Sequence, residues 1–341
     1  MNDNLRKRIS IGWNGRLETL AVFVRYRDVI HDVYFAPPDT PSGRNSAATR
    51  QADYAARLDE FLHGLSSEGL SANLLLNGLC AGELTGSRQW ARQAVATVQR
   101  YAERGASHVT CASVTDMLLV RRHFPQLCIH ASVNLLLDCP GKCAQLRHVC
   151  DVITLDRSLN YDLKQIAEIR RLLPGKRLKI LVNEGCLSGC VHRVQHFNAL
   201  AHNRNLQTGY CKFLFARHPE LILQTPFVRP EDLRHYFGLV DYFKIASRDR
   251  RSAAHVALLL EAYSECSYRG NLFDLVSSDG IAAVMAMGIP LFLENSQIAE
   301  DFFSRRAATR GRWIPEDPIQ PDYVFPRRLS IRQSTSPGKT T

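Results

Sequence analysis

No stretch of this 341-residue chain is long and apolar enough to span a bilayer, so a membrane is not among its expected partners. The opening residues, Met1-Asn-Asp-Asn-Leu-Arg-Lys-Arg, have no apolar run behind their positive charges and do not read as a secretory leader. A Walker loop, a dinucleotide fingerprint and phosphate-cradling glycine loops are missing, which removes the common nucleotide-binding motifs. No internal repeat shows, and no basic stretch is interleaved with aromatics as a single-strand nucleic-acid surface would be. The expected location is therefore the cytoplasm.

What is present begins with cysteine. Ten cysteines in a reducing compartment point to metal binding or catalysis before a disulfide framework. Apolar residues at 45% and charged residues at 22% are ordinary values for a globular domain. The net charge of +10 admits an anionic substrate or nucleic acid. Much of the excess lies at the ends, in Arg6, Lys7 and Arg8 and in Arg327, Arg328, Arg332 and Lys339.

Short apolar or β-branched runs alternate with amphipathic stretches over most of the length, the pattern of parallel strands joined by crossover helices. The runs fall at residues 9–13, 33–36, 73–77, 108–111, 128–131, 152–155, 179–183 and 242–245. Eight such strands predict a (β/α)8 TIM-like barrel over residues 1–314, with a doubly wound open sheet as the alternative. The 3.6-residue period predicts helices at 48–68, 88–105, 114–123, 140–149, 161–173, 231–237 and 253–264. Proline, serine and charge dominate from Pro315 onward, predicting an irregular tail over 315–341 that is disordered by its end.

The segment Asn183-Glu184-Gly185-Cys186-Leu187-Ser188-Gly189-Cys190 directly follows a predicted strand, which in a barrel places it at the catalytic mouth. Two glycines let the backbone wrap a metal, and Cys211 follows after a polar stretch, so three thiolates lack one partner for an iron–sulfur centre. Zinc is the rival, since His192, His196 and His202 share the segment. Zinc knuckles prefer two residues between paired cysteines, however, and His192-Arg193-Val194-Gln195-His196 lacks a zincin's glutamate. The bland reading makes these cysteines small buried hydrophobes. That reading suits Cys139, Cys143 and Cys150, spaced along a predicted helix, and also Cys128 and Cys266.

Over roughly residues 72–275 the chain resembles the collagenase-like peptidases of family U-32. The resemblance rests on Asn73-Leu-Leu-Leu-Asn-Gly-Leu-Cys80, Ile129-His-Ala-Ser-Val133, Val182-Asn-Glu-Gly-Cys-Leu-Ser-Gly-Cys190 with His192-Arg193 and His196-Phe197-Asn198, and Thr225-Pro-Phe-Val-Arg-Pro-Glu-Asp232. It ends on Asp241-Tyr-Phe-Lys-Ile-Ala-Ser-Arg248, where alanine and serine replace the glutamate and glycine of the family's Lys-Ile-Glu-Gly-Arg strand.

Several members of that family look like oxygen-independent hydroxylases of ubiquinone precursors or RNA and carry a 4Fe-4S cluster. The resemblance thus implies redox chemistry on a small molecule, with an oxygen donor, or on RNA. Peptide hydrolysis and a non-catalytic iron–sulfur subunit docked on a partner protein are the alternatives. It also implies a ligand set of Cys80, Cys186, Cys190 and Cys211, in which an early strand end supplies the first cysteine; Cys111 is its nearest competitor.

The barrel rule puts Asn77, Ser132, Asn134, Glu184, Lys244 and Arg248 at or just past strand ends. Lys244 and Arg248 are expected to clamp an anionic group, although a lysine in an apolar strand can also snorkel to the rim. Glu184 is expected to be a proton shuttle, an acceptor that tunes the cluster thiolates, or equally a salt-bridge partner for Arg193. His192 and His196 share one face if a helix follows, as a proton relay or substrate contact. Asn77, Ser132, Asn134 and His196 make up the expected substrate contacts.

Overall fold

The computed structural model describes residues 2–42, 47–202, 210–248 and 252–311. The tail expected at 315–341 lies outside the described residues. Eight strands close into a barrel in chain order, each parallel to its neighbours: β1 (Ile9–Gly12), β2 (Ile30–Phe35), β3 (Ala72–Leu76), β4 (Ala106–Cys111), β5 (Cys128–Ala131), β6 (Val152–Thr154), β7 (Arg177–Leu181) and β8 (Tyr242–Ile245). Closure is direct, since Ile9, Ser10 and Ile11 of β1 pair with Phe243, Lys244 and Ile245 of β8. The open-sheet alternative is thereby excluded, and the fold is a (β/α)8 TIM barrel.

The helices are α1 (Thr19–Arg25), α2 (Tyr54–Ser67), α3 (Arg88–Ala102), α4 (Val114–His123), α5 (Pro140–Gln145), α6 (Leu163–Leu172), α7 (Arg193–Ala201), α8 (Tyr210–Arg217), α9 (Ala253–Glu265), α10 (Asp279–Ala286) and α11 (Phe302–Ala308). Serine and aspartate start several of them: Ser87, Ser113, Asp162 and Ser252 each accept a hydrogen bond from the backbone N–H three residues on. These caps satisfy donors that a helix start leaves without partners. Fully buried Phe23, Phe35, Phe61, Val109, Ile129, Ile153, Ile166, Ile180 and Phe243 fill the shell between strands and helices.

Several expectations need correction. The helix read at 48–68 begins only at Tyr54, after a 3-10 turn at Ala47–Arg50. The helix read at 231–237 is a 3-10 helix, Pro230–Tyr236, because Pro230 removes a donor and buried Asp232 ties back to Arg229 at 2.8 Å. The segment from Asn183 to Cys211, to which the 3.6-residue period assigns no helix, contains α7 and the start of α8. Cys266, read as sitting in a loop, caps α9 in a left-handed conformation (φ 52°).

Candidate functional site at the C-terminal mouth

The strand ends build a pocket lined by Tyr34, Asn77, Asn134, Arg157, Glu184, Phe197, Lys244, Arg248 and Ser277. Beyond β7, the chain continues straight into Asn183 and Glu184. Asn183 accepts from the Ala246 N–H at 2.7 Å and donates to the Ala246 and Leu275 carbonyls. Glu184 pairs with Ser277 in a parallel bridge, flanked by Ser277 N–H to Asn183 O and Gly185 N–H to Ser277 O. This added rung holds Glu184, 3% exposed, at the mouth. Gly185 has to be glycine for the rung to form, because a Cβ would stand 2.2 Å from Val276 Cγ1.

Glu184 does not pair with Arg193. Its Oε2 accepts from Arg157 Nη1 at 2.7 Å, in a pair whose side chains are only 2% and 3% exposed. Arg193 turns instead to Asp156 at 3.1 Å. The Nε and Nη2 atoms of Arg157 are buried and have no hydrogen-bond partner among the described residues, while its guanidinium lies 5.1 Å from the Phe197 ring. Buried donors left open in this way are costly, and they make Arg157 the functional candidate that reading the sequence missed. Its signal was available, since it stands just past the β6 end.

Lys244 does not snorkel to the rim. It is 8% exposed, and its Nζ lies 4.2 Å from the Tyr34 ring centroid, a cation–π contact. Burial, with Lys179 and Arg248 adding repulsion, lowers its ammonium from 10.5 to about 7. Tyr34 is fixed by its hydroxyl, which donates to Ile245 O at 2.8 Å. Arg248 donates to Ser42 Oγ at 2.9 Å. Cations thus outnumber anions around the pocket, which favours an anionic occupant.

On the opposite wall Asn134 Nδ2 donates to Asn77 O at 2.9 Å, and both residues line the pocket. Ser132 is fully buried and accepts from the Asn134 N–H at 3.2 Å, so it shapes this wall from behind. His192 caps the N-terminus of α7 and His196 lies one turn on, sharing a helix face as expected.

The four cysteines fall into two places. Cys186 follows Gly185, which is packed on Ser278 and Ile281, and Cys211, the second residue of α8, sits where a Cβ on Gly280 would be 2.7 Å from its Sγ. Both therefore border the first turn of α10. Cys190 ends a turn, after Gly189 at φ 66°, that leads directly into α7. Cys80 lies beyond β3, where its Sγ accepts from the Gly82 N–H at 3.2 Å, and Gly82 faces His202 at the far end of α7. All four thiols are half-buried, as accessible metal ligands have to be. Cys111, by contrast, is wholly buried, and burial pushes its thiol well up. Cys143 and Cys150 are also core residues, 0% and 1% exposed.

Inside the barrel lies a polar network that the strand pattern concealed. Lys179 Nζ is 3.1 Å from each of Ser10 Oγ, Asp32 Oδ1 and His130 Nδ1. Asn73 donates to Asp32 and accepts from Thr110. Burial would raise the Asp32 carboxyl, but Lys179 and the nearby histidines outweigh it and hold the group well below the usual carboxylate range.

No family model matches the chain. A stretch of 133 residues is 42% identical to the uncharacterized protease MJ1657 of Methanocaldococcus jannaschii; the match spans 36% of this chain and 39% of that relative. The solved U32 peptidase Mk0906 shares the fold, with a TM-score of 0.54 and 16% identity over 70% of this chain and 92% of that one. The chain is thus similar over about a third of its length to a protein named as a protease, spans well under half of that relative, and shares the barrel fold of a U32 peptidase.

Proposed function

We propose that this chain is an iron–sulfur enzyme that carries out oxygen-independent hydroxylation, or closely related redox chemistry, on a small anionic substrate held at the C-terminal mouth. The observation that carries the reading is a pocket rich in buried cations whose Glu184 leads, through Gly185, directly into the cysteine turn.

Cys186, Cys190 and Cys211 would hold a 4Fe-4S cluster, with Cys80 as the fourth ligand. The chemistry of the donor set suits such a group, with half-buried thiols and an N–H bond onto Cys80 Sγ, but among the described residues these cysteines do not gather within ligand distance of one another as His31, His108 and His130 do. With all four thiolates on it, the cluster would supply one-electron transfer.

The chain's own residues do the rest. Lys244, Arg248 and the open edge of Arg157 bind the anionic end of the substrate, and Asn77 and Asn134 orient it. Glu184, kept in place by Arg157, moves a proton at its carboxylate. His192, which caps α7, and His196 within it are not among the residues that line the pocket. An RNA substrate would meet the same cations through its phosphates.

Hydrolysis of peptides is the second reading, favoured by the names of the relative and of the structural neighbour, a protease and a peptidase. A third makes the cluster structural and the chain a docked subunit. Anaerobic protein decides among them. Brown colour lost in Cys186→Ser and Cys190→Ser, with binding of small carboxylates or inorganic phosphate lost in Lys244→Met, supports the proposal. A colourless wild type that cleaves peptides would replace it by the second reading. Colour without ligand binding or turnover favours the third.

A further inference from the structure

The opposite end of the barrel holds a second cluster of ligand-type side chains. His31 is the second residue of β2, and His108 the third of six in β4, both toward the strand starts, while His130, the third of four in β5 and buried, stands deeper inside the barrel. One ring nitrogen of each lies within 4.8 Å of the others. The rings are mutually oriented: His108 meets both His31 and His130 edge-on at 5.2 Å, and His31 is stacked on Tyr242 at 3.9 Å and 11°.

The nitrogens left over point to a ligand. Nδ1 of His130 is engaged by Asn73 and Lys179, and Nδ1 of His108 faces Ser107 Oγ at 2.9 Å. The Nε2 atoms of His31 and His130 are buried without a hydrogen-bond partner among the described residues. His130 is itself 1% exposed. Two buried imidazole nitrogens with nothing to bind, beside a third imidazole, cost stability with no return unless something occupies the space between them.

We infer that His31, His108 and His130 form a binding site for a divalent transition ion of the zinc type, with the fourth position open toward the N-terminal opening. Three imidazoles around zinc at about 2.0–2.1 Å are a standard set for a site that keeps one position free. Tetrahedral geometry at those lengths puts the nitrogens roughly 3.3 Å apart, against separations of up to 4.8 Å here. Burial lowers all three imidazoles, His31 to about 4, so they are neutral at physiological pH, as ligands have to be.

Asp32 attracts positive charge toward all three rings, and its Lys179 partner opposes it. Because Lys179 and Asn73 both donate to His130 Nδ1, the ring proton of the metal-free chain sits on Nε2. Uptake of the ion through that nitrogen displaces the Nε2 proton to solvent, and the ring stays neutral when Lys179 hands one of its own protons to Nδ1.

The test uses the full chain carrying Cys186→Ser and Cys190→Ser, stripped of metal, with cobalt(II) as the probe. The expected result is one equivalent bound, with the visible ligand-field bands of four-coordinate cobalt and no thiolate charge-transfer band. His108→Ala and His31→Ala should each weaken cobalt binding at least about 100-fold, as loss of a ligand does. Zinc should raise the thermal midpoint of the parent protein and leave that of His108→Ala unchanged. Absence of binding at micromolar cobalt, a thiolate charge-transfer band, or tight binding that survives both histidine variants would overturn the assignment.

Discussion

The two mouths of this barrel solve opposite electrostatic problems with similar residues. At the C-terminal mouth Lys244 and Arg248 lie over one tyrosine ring, and Glu184 is already matched by Arg157, so positive charge is left over. At the N-terminal mouth Lys179 is matched by Asp32 in a fully buried pair, and the remaining groups are neutral imidazoles. Surplus cations select an anion, whereas neutral nitrogens beside a buried carboxylate suit a cation. On the two proposals made above, a shared architecture would give its ends complementary ligand preferences, with the Lys179–Asp32 pair buried beside the histidines.

Breaking that pair should have the largest effect. Lys179→Met leaves Asp32 buried without its partner and is expected to cost about 3–5 kcal/mol of stability, read by denaturant unfolding. The double variant with Asp32→Asn should recover much of that loss. A single variant as stable as wild type would show that Asp32 does not depend on this partner.

Smaller but more specific is Lys244→Met. Anion binding at the C-terminal mouth should fall roughly 10- to 100-fold, corresponding to loss of a charge-assisted hydrogen bond of about 1.5–3 kcal/mol. Iron content and cobalt binding at the other end should not move. Equal anion affinity in wild type and variant, measured by calorimetry, contradicts the assignment of this mouth to anions.

The pH dependence sharpens the same point. Lys244 titrates at about 7 in the folded chain against 10.5 ordinarily, so the unfolded chain binds more protons between those values. Stability contributed through this group therefore rises as pH climbs from about 7 to 10.5 and is flat below. Anion affinity has the opposite sign and weakens above about 7 as the ammonium is lost. Lys244→Met should remove both slopes, and slopes that persist would place the titration elsewhere.

The smallest effects separate Cys80 from Cys111. Cys80→Ala should keep the fold and make the proposed cluster labile. Cys111→Ala should cost about 1 kcal/mol through lost packing and leave iron content unchanged. The reverse pattern by iron analysis and electron paramagnetic resonance would exchange their roles.

The strands were legible in the sequence because each is a short apolar run, and six of the seven helices read from period stand in the structure as α-helices, with shifted ends. Both α7 and α8 were not legible, because Arg193-Val-Gln-His-Phe-Asn-Ala-Leu-Ala carries no clean apolar stripe and its glycine-rich approach reads as loop. The barrel rule found Glu184, Lys244 and Arg248, since their positions come from strand ends alone. The same rule covers Arg157, which stands past the end of β6 in a three-residue 3-10 turn, but its pairing with Glu184, 27 residues away in sequence, shows only in the folded chain. The histidines at 31, 108 and 130 escaped for a related reason: each lies on a different strand, and only closure and register bring them together.

Iron and acid-labile sulfide, measured on wild-type protein purified without oxygen and compared with Cys186→Ser, test the central claim most directly. The account predicts four irons and four sulfides per chain in the wild type, and loss of both in the variant with the barrel still folded. Stoichiometric zinc without sulfide, or a variant that keeps its iron, would contradict it.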